Sequence, residues 1–280
     1  MASSDLRGLD GLTAAELRAS RRGFWDVRFT ELLLRDIEPG TERLVDVGCG
    51  LGTAAHALLP HLPLAQYLGV DADKHRLVEA ARLLEGAPYA DRVEFTTGRA
   101  EQLPCRDGEA NVILYAMTLQ HLSDIGAALG EAQRVLSPNG VVLAVEPDNL
   151  GQRCYFDGPL EDVNRALADL AAAVREARRP ADSAVGPAVP AMLERAGFGR
   201  VMCNAYCTGG LRRATAREVF DAAGRVVEIT ASAASLDVSD ARVERARDAV
   251  ARARADLDPA AIGYGGQVVP VFVSSARRGV

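Results

Sequence analysis

Val45-Asp46-Val47-Gly48-Cys49-Gly50-Leu51-Gly52 runs from an apolar strand through a glycine-rich turn into a helix. Glycine lets the chain turn sharply and lets a ligand touch the backbone. The start of the helix offers N–H groups with no partner inside the helix. A nucleotide-like ligand on this turn is the direct implication. The dinucleotide fingerprint would place its third glycine one residue later, where this chain has Thr53. The phosphate-loop pattern fails as well, because no Gly-Lys-Ser/Thr follows. Asp46 just before the turn would repel a pyrophosphate and suits a ligand carrying positive charge. Asp71 ends a second strand, 19 residues after Gly52. A carboxylate there can accept both hydroxyls of a ribose.

Outward from this turn the chain alternates short β-branched runs with helical stretches. Strands are expected at Leu44–Gly48, Tyr67–Asp71, Arg92–Thr97, Asn111–Ala116 and Val141–Val145. Helices are expected at Gly52–Leu59, Lys74–Leu84 and Ile125–Leu136, the last closed by the turn Ser137-Pro138-Asn139-Gly140. Repeated strand–helix–strand units imply parallel strands with right-handed crossovers. Two final strands are expected at Arg200–Cys207 and Val268–Ser274. The fold class is therefore α/β: a doubly wound, mostly parallel seven-stranded sheet with helices on both faces. Helices are also expected within 13–37, which holds Phe24, Trp25 and Phe29, and at 160–178 and Val189–Ala196. Between the last two strands lie helices Ala214–Val227 and Ser239–Ala255. The domain reading is an N-terminal helical lid over 1–40, a nucleotide-binding core over 41–210 and 265–280, and a helical insertion over 211–264 that forms a cap.

Together these residues resemble the class I S-adenosylmethionine-dependent methyltransferases of the small-molecule type. Asp46–Gly52 matches the family's first motif and Asp71 its ribose-binding acid. Gly98–Pro104 resembles the adenine loop, Asn111–Asp124 the fourth strand with its loop, and Glu131–Glu146 the helix, turn and fifth strand. The likeness covers about residues 40–150, with five blocks in order. It implies S-adenosylmethionine as cofactor and S-adenosylhomocysteine as product. It implies that the backbone of Gly48, Cys49 and Gly50 approaches the methionine part, with Asp46 near its amino group. Asp71 would hold the ribose, with Ala72 beside the adenine and Ala100 and Glu101 on its other edge. Tyr115 and Ala116 would lie near the methyl-bearing sulfur. Arg99 stands where the family usually has an aspartate for the exocyclic amine, so Glu101 or the backbone would take that contact.

Methyl transfer from a sulfonium needs an aimed acceptor and a dry site, and sometimes a base. His121 is the candidate base, since imidazole titrates near working pH. Tyr115 and Glu146 are further catalytic candidates. Trp25, His121, Asp148, Tyr155 and Phe156 are candidate substrate-binding residues. Oxygen is the leading acceptor because His121 suits a hydroxyl; nitrogen and carbon are the alternatives. A methyltransferase of tRNA or protein, and a protein that binds the cofactor without methylating, are the rivals.

Composition narrows the partners. The 280 residues carry a net charge of −6, with Lys74 the only lysine, so no pull toward nucleic acid is expected. No run approaches the roughly 20 apolar residues of a membrane span, and the first residues do not read as a secretory signal. Five cysteines without a second Cys or His pair beside Cys203 and Cys207 give no metal set. The expectation is a cytoplasmic monomer or homodimer acting on a small molecule, as in secondary metabolism.

Overall fold

The computed structural model describes Trp25 and residues 27–158, 160–176, 184–233 and 240–279. The expected helical stretch at 13–24, including Phe24, the end of helix 160–178 and Ser239 lie outside the described residues. The chain divides into two compact units. The first comprises residues 1–146, 185–204 and 272–280; the second comprises 147–184 and 205–271.

In the first unit, β1 (Arg43–Val47), β2 (Gln66–Asp71), β3 (Val93–Thr97), β4 (Ala110–Ala116) and β5 (Leu136–Pro147) run parallel in the order β3-β2-β1-β4-β5. Beyond β5 the sheet continues with the end of β9 (Ile262–Arg277) that belongs to this unit. β1, β2, β4 and β5 are largely apolar on both faces because both faces are covered, whereas the edge strand β3 is only partly buried. Val45, Val70, Ile113, Tyr115, Val142 and Ala144 pack with α4 (Ile125–Val135) and α6 (Val189–Arg195). The alternate residues Leu44, Tyr67, Leu114 and Leu143 point the other way and are equally buried. Apolar residues of α1 (Val27–Leu34), α2 (Thr53–Leu58) and α3 (Lys74–Leu84) are buried as well: Leu33, Leu58 and Ala80. Asp73 and Asp124 start α3 and α4 by accepting backbone N–H bonds from His75 and Ala127.

The second unit packs three helices on a short antiparallel ladder. Helices α5 (Glu161–Glu176), α7 (Ala216–Ala233) and α8 (Ala241–Ala255) bury Leu167, Leu170, Phe220, Val227, Val243 and Val250 together. β6 (Arg153–Phe156) and β8 (Arg212–Thr215) both pair antiparallel with β9. Thr215 and Glu218 form a reciprocal capping box at the start of α7. The expected 211–264 span falls inside this unit, which also takes in residues 147–184.

Nine strands occur among the described residues, two more than expected. β6 and β8 are four residues long, too short for an alternation to register, and β8 carries two adjacent arginines. β7 (Gly199–Gly209) and β9 also extend past their expected limits. The turn at 137–140 survives as an interruption inside β5. Ala110 pairs with Leu136 and Val112 already with Val141, and Asn139 takes the left-handed φ of 62°. No described helix is long and apolar enough to cross a membrane.

The loop after β3 is fastened to α4 by one charged pair. Glu131 accepts the N–H of Leu103 at 2.8 Å and two bonds from the Arg134 guanidinium at 2.6 and 2.8 Å. The Arg134 bonds hold the Glu131 carboxyl below its usual range. Its stabilisation is thus complete above the unfolded carboxylate pKa and is lost as pH falls through the lower folded value. We expect Glu131→Gln to lower the urea midpoint at neutral pH, and the difference from the parent chain to vanish in strong acid. A difference that stays constant with pH would contradict this.

Candidate active site

The site grows from the ends of β1, β2 and β4. After Val47 the chain leaves the sheet in the left-handed region: φ is 72° at Gly48, 54° at Gly50 and 68° at Gly52. Two of these positions exclude any side chain. A Cβ on Gly48 would lie 2.5 Å from the Thr118 hydroxyl and methyl, and one on Gly52 would lie 2.9 Å from the Phe95 ring. The turn is tied down by the neighbouring strand: Gly48 and Cys49 donate to the Val70 carbonyl at 2.7 and 3.1 Å.

Asp71 completes the turn. One carboxylate oxygen accepts the Gly50 N–H at 2.8 Å and the other the Asp73 N–H at 2.9 Å. Burial raises its pKa, and the two N–H bonds oppose that rise. Each oxygen keeps acceptor capacity for a further donor. Asp46 lies beneath the turn, buried, and accepts the Tyr67 hydroxyl at 2.5 Å.

A cavity of about 410 Å³ opens here, within the range of small-ligand sites. Gly48, Gly50, Asp71, Ala72, Arg99, Ala100 and Glu101 all line it, as does His121, the exposed last residue of an otherwise buried 3-10 turn. A smaller cavity of about 40 Å³ shares Gly48, Gly50 and Met117 with it, and is lined further by Asp46, Cys49, Ala116 and Trp25. Burial, with the Asp46 and Asp71 carboxylates beside it, raises the Cys49 thiol pKa well above its ordinary value. The Trp25 ring meets Phe29 edge-on, centroids 5.5 Å apart. Arg99 is largely exposed and pairs with Glu101 at 3.4 Å.

Three expected roles are corrected. The Tyr115 side chain is fully buried against α4 and donates its hydroxyl hydrogen bond to the Ala128 carbonyl, and Tyr115 lines neither cavity. Burial also drives its pKa upward, away from proton transfer. Glu146 is completely buried, and its carboxylate accepts N–H bonds from Thr118, Leu119 and Gln120 rather than facing a reactant. Phe156 belongs to the second unit's core, its ring 6.3 Å from Phe220. Asp148 and Tyr155 also lie in the second unit. Asp148 closes the turn 148–151 by accepting the Leu150 N–H and pairs with Arg175 at 3.8 Å. Half-buried Tyr155 stands opposite Gly266 in the β6–β9 ladder.

Sequence reasoning missed Arg76, Met117 and Thr118, which line the larger cavity. Arg76 sits on the first turn of α3, where it reaches back over the end of β2, 6% exposed and 4.0 Å from Asp73. Met117 carries no sequence signal, because its role rests on a backbone φ of 56°.

Residues 45–144 match the family model for the methyltransferase domain. Residues 45–144 therefore form a domain of the methyltransferase type. This domain is 32% identical over 124 residues to trans-aconitate 2-methyltransferase of an Acidovorax species, covering 44% of this chain and 45% of that protein. It is also 32% identical over 133 residues to the methyltransferase YcgJ of Bacillus subtilis, covering 47% and 51%. The crystal structure of YcgJ superposes with a TM-score of 0.54 at 19% identity, over 90% of this chain and 98% of that one. The chain thus spans about half the length of the curated relatives it matches, while the fold likeness extends over most of it.

The methyltransferase turn provides a direct test of packing. Gly48→Ala should cost about 2–4 kcal/mol, from the clash with Thr118 and the left-handed backbone. Thr118→Ala in that background should recover part of the loss, because it removes both atoms nearest the new methyl. Additive losses in a double-mutant cycle of denaturation midpoints would contradict the contact.

Proposed function

We propose that this chain transfers the methyl group of S-adenosylmethionine to a small-molecule acceptor and releases S-adenosylhomocysteine. The observation that carries the reading is Asp71: a carboxylate fixed by Gly50 and Asp73, on the wall of a 410 Å³ cavity beside the glycine turn. The surrounding residues fit the cofactor. Asp71 has acceptor capacity left for two ribose hydroxyls, Ala72 and Ala100 offer small apolar edges to a purine, and Asp46 places negative charge near an ammonium. The cofactor supplies an electrophilic methyl group on a sulfonium.

The chain's own part is orientation, exclusion of water and removal of a proton. The glycine turn and Asp71 fix the cofactor's position. Trp25, Ala116 and Met117 wall the smaller cavity with apolar surface, which suits a dry reaction path. His121, exposed on the cavity wall, is the candidate to accept a proton from the acceptor at a ring nitrogen. An oxygen acceptor agrees best with such a base, and nitrogen and carbon remain the alternatives.

Calorimetry should show binding of S-adenosylmethionine and no binding of NAD. Asp71→Ala should weaken S-adenosylmethionine about a hundredfold, from the loss of hydrogen bonds to a charged acceptor. Unchanged affinity would contradict the placement of the ribose. With an acceptor found by screening metabolites for S-adenosylhomocysteine release, His121→Gln should slow turnover at least about a hundredfold. Turnover that matches the parent chain would remove His121 as the base.

A further inference from the structure

Glu146 ends the first segment of the first unit and is fully buried. The ladder puts it there: β4 and β5 pair in parallel with Ala116 opposite Val145, and Met117 donates to the Val145 carbonyl at 2.8 Å. The next residue of β5 therefore meets the chain as it leaves β4. One Glu146 oxygen accepts the N–H groups of Thr118 and Leu119, each at 2.8 Å, and the other accepts that of Gln120 at 3.4 Å. Three consecutive N–H groups converging on one buried side chain require a group that only accepts. In a low-dielectric interior such bonds are strong, and losing the acceptor strands several donors together.

The loop held in this way forms one wall of the site. Met117 lines both cavities with its backbone in the left-handed region, and Thr118 and His121 line the larger one. A methionine at that φ persists only where its surroundings fix it. Thr118 in turn donates its hydroxyl to the Val47 carbonyl at 2.9 Å and fills the space where Gly48 would carry a side chain.

We infer that Glu146 is a positioning residue, setting the Met117–His121 wall and, through Thr118, the glycine turn in the conformation that accepts the cofactor. The chain of contacts runs from Glu146 to Thr118, to Val47 and Gly48, and on through Gly50 to Asp71. The part that concerns cofactor rests on the function proposed above. The part that concerns the loop does not.

Glu146→Gln keeps the volume and removes an acceptor-only group, so it separates hydrogen bonding from packing. Amide hydrogen exchange without any ligand tests the loop. In the parent chain the amides of residues 118–120 should be protected, and exchange there at the rate of free amides would by itself overturn the inference. In Glu146→Gln these amides should exchange at least about tenfold faster while the central residues of β4 keep their protection. S-adenosylhomocysteine should bind the folded variant about 10–100-fold more weakly by calorimetry. Glu146→Asp keeps the charge with shorter reach and should fall between the two on both readouts. A purely structural role would lower the denaturation midpoint and leave the affinity of the folded variant unchanged, which would overturn the inference. If the parent chain binds no S-adenosylhomocysteine, the proposed function fails, and the exchange data still decide whether Glu146 holds the loop.

Discussion

The two oxygens of Asp71 are claimed by backbone N–H groups from two different segments, Gly50 of the glycine turn and Asp73 of its own loop. The two hydrogen bonds fix the carboxylate, and the one from Gly50 joins the end of β2 to the turn after β1. Much of the site follows from it. The turn can reach Asp71 because glycines at 48, 50 and 52 take positive φ, and it can lie flat because no side chain stands at 48 between it and Thr118. The cavity is the space left above these two strand ends, bounded by the loops after β3 and β4. In a parallel sheet buried on both faces, strand ends are where backbone groups can leave the ladder and meet a ligand.

Different physical means hold the bounding loops. The loop after β3 is fixed from outside by a charged pair on α4, Glu131 with Arg134. The loop after β4 is fixed from inside by a buried carboxylate, Glu146. The first is partly exposed to solvent and contributes modestly; the second is sealed in the core, where an unmet acceptor or donor is costly. Such a difference suits their positions. The β3 loop borders the edge of the cavity around Arg99 and Glu101, whereas the β4 loop carries Met117 where the two cavities meet and His121 on the wall of the larger one.

Much of this was legible in the sequence wherever burial on two faces writes a continuous apolar run. The runs at 44–47, 67–70 and 111–116 gave strands within a residue or two of their observed limits. β6 and β8 were not legible, since four residues such as Arg153–Phe156 carry no period that separates strand from loop. Gly48, Gly50 and Asp71 were expected together from backbone freedom and a fixed spacing, and the fold brings them onto the wall of one cavity. Tyr115 and Glu146 were misread because proximity in sequence to a strand end does not say which way a side chain points. The β4 register sends Tyr115 toward α4, and the β5 register sends Glu146 into the loop. Met117 and Arg76 stayed hidden because their importance comes from a backbone angle and from burial, neither of which has a residue-type signature.

The most direct test of the account is a crystal structure of this chain with S-adenosylhomocysteine. Both ribose hydroxyls should lie within hydrogen-bond distance of the Asp71 carboxylate, and the adenine between Ala72 and Ala100. Its homocysteine part should lie over the glycine turn toward Asp46. A ligand bound elsewhere, or in this cavity with its ribose away from Asp71, would contradict it.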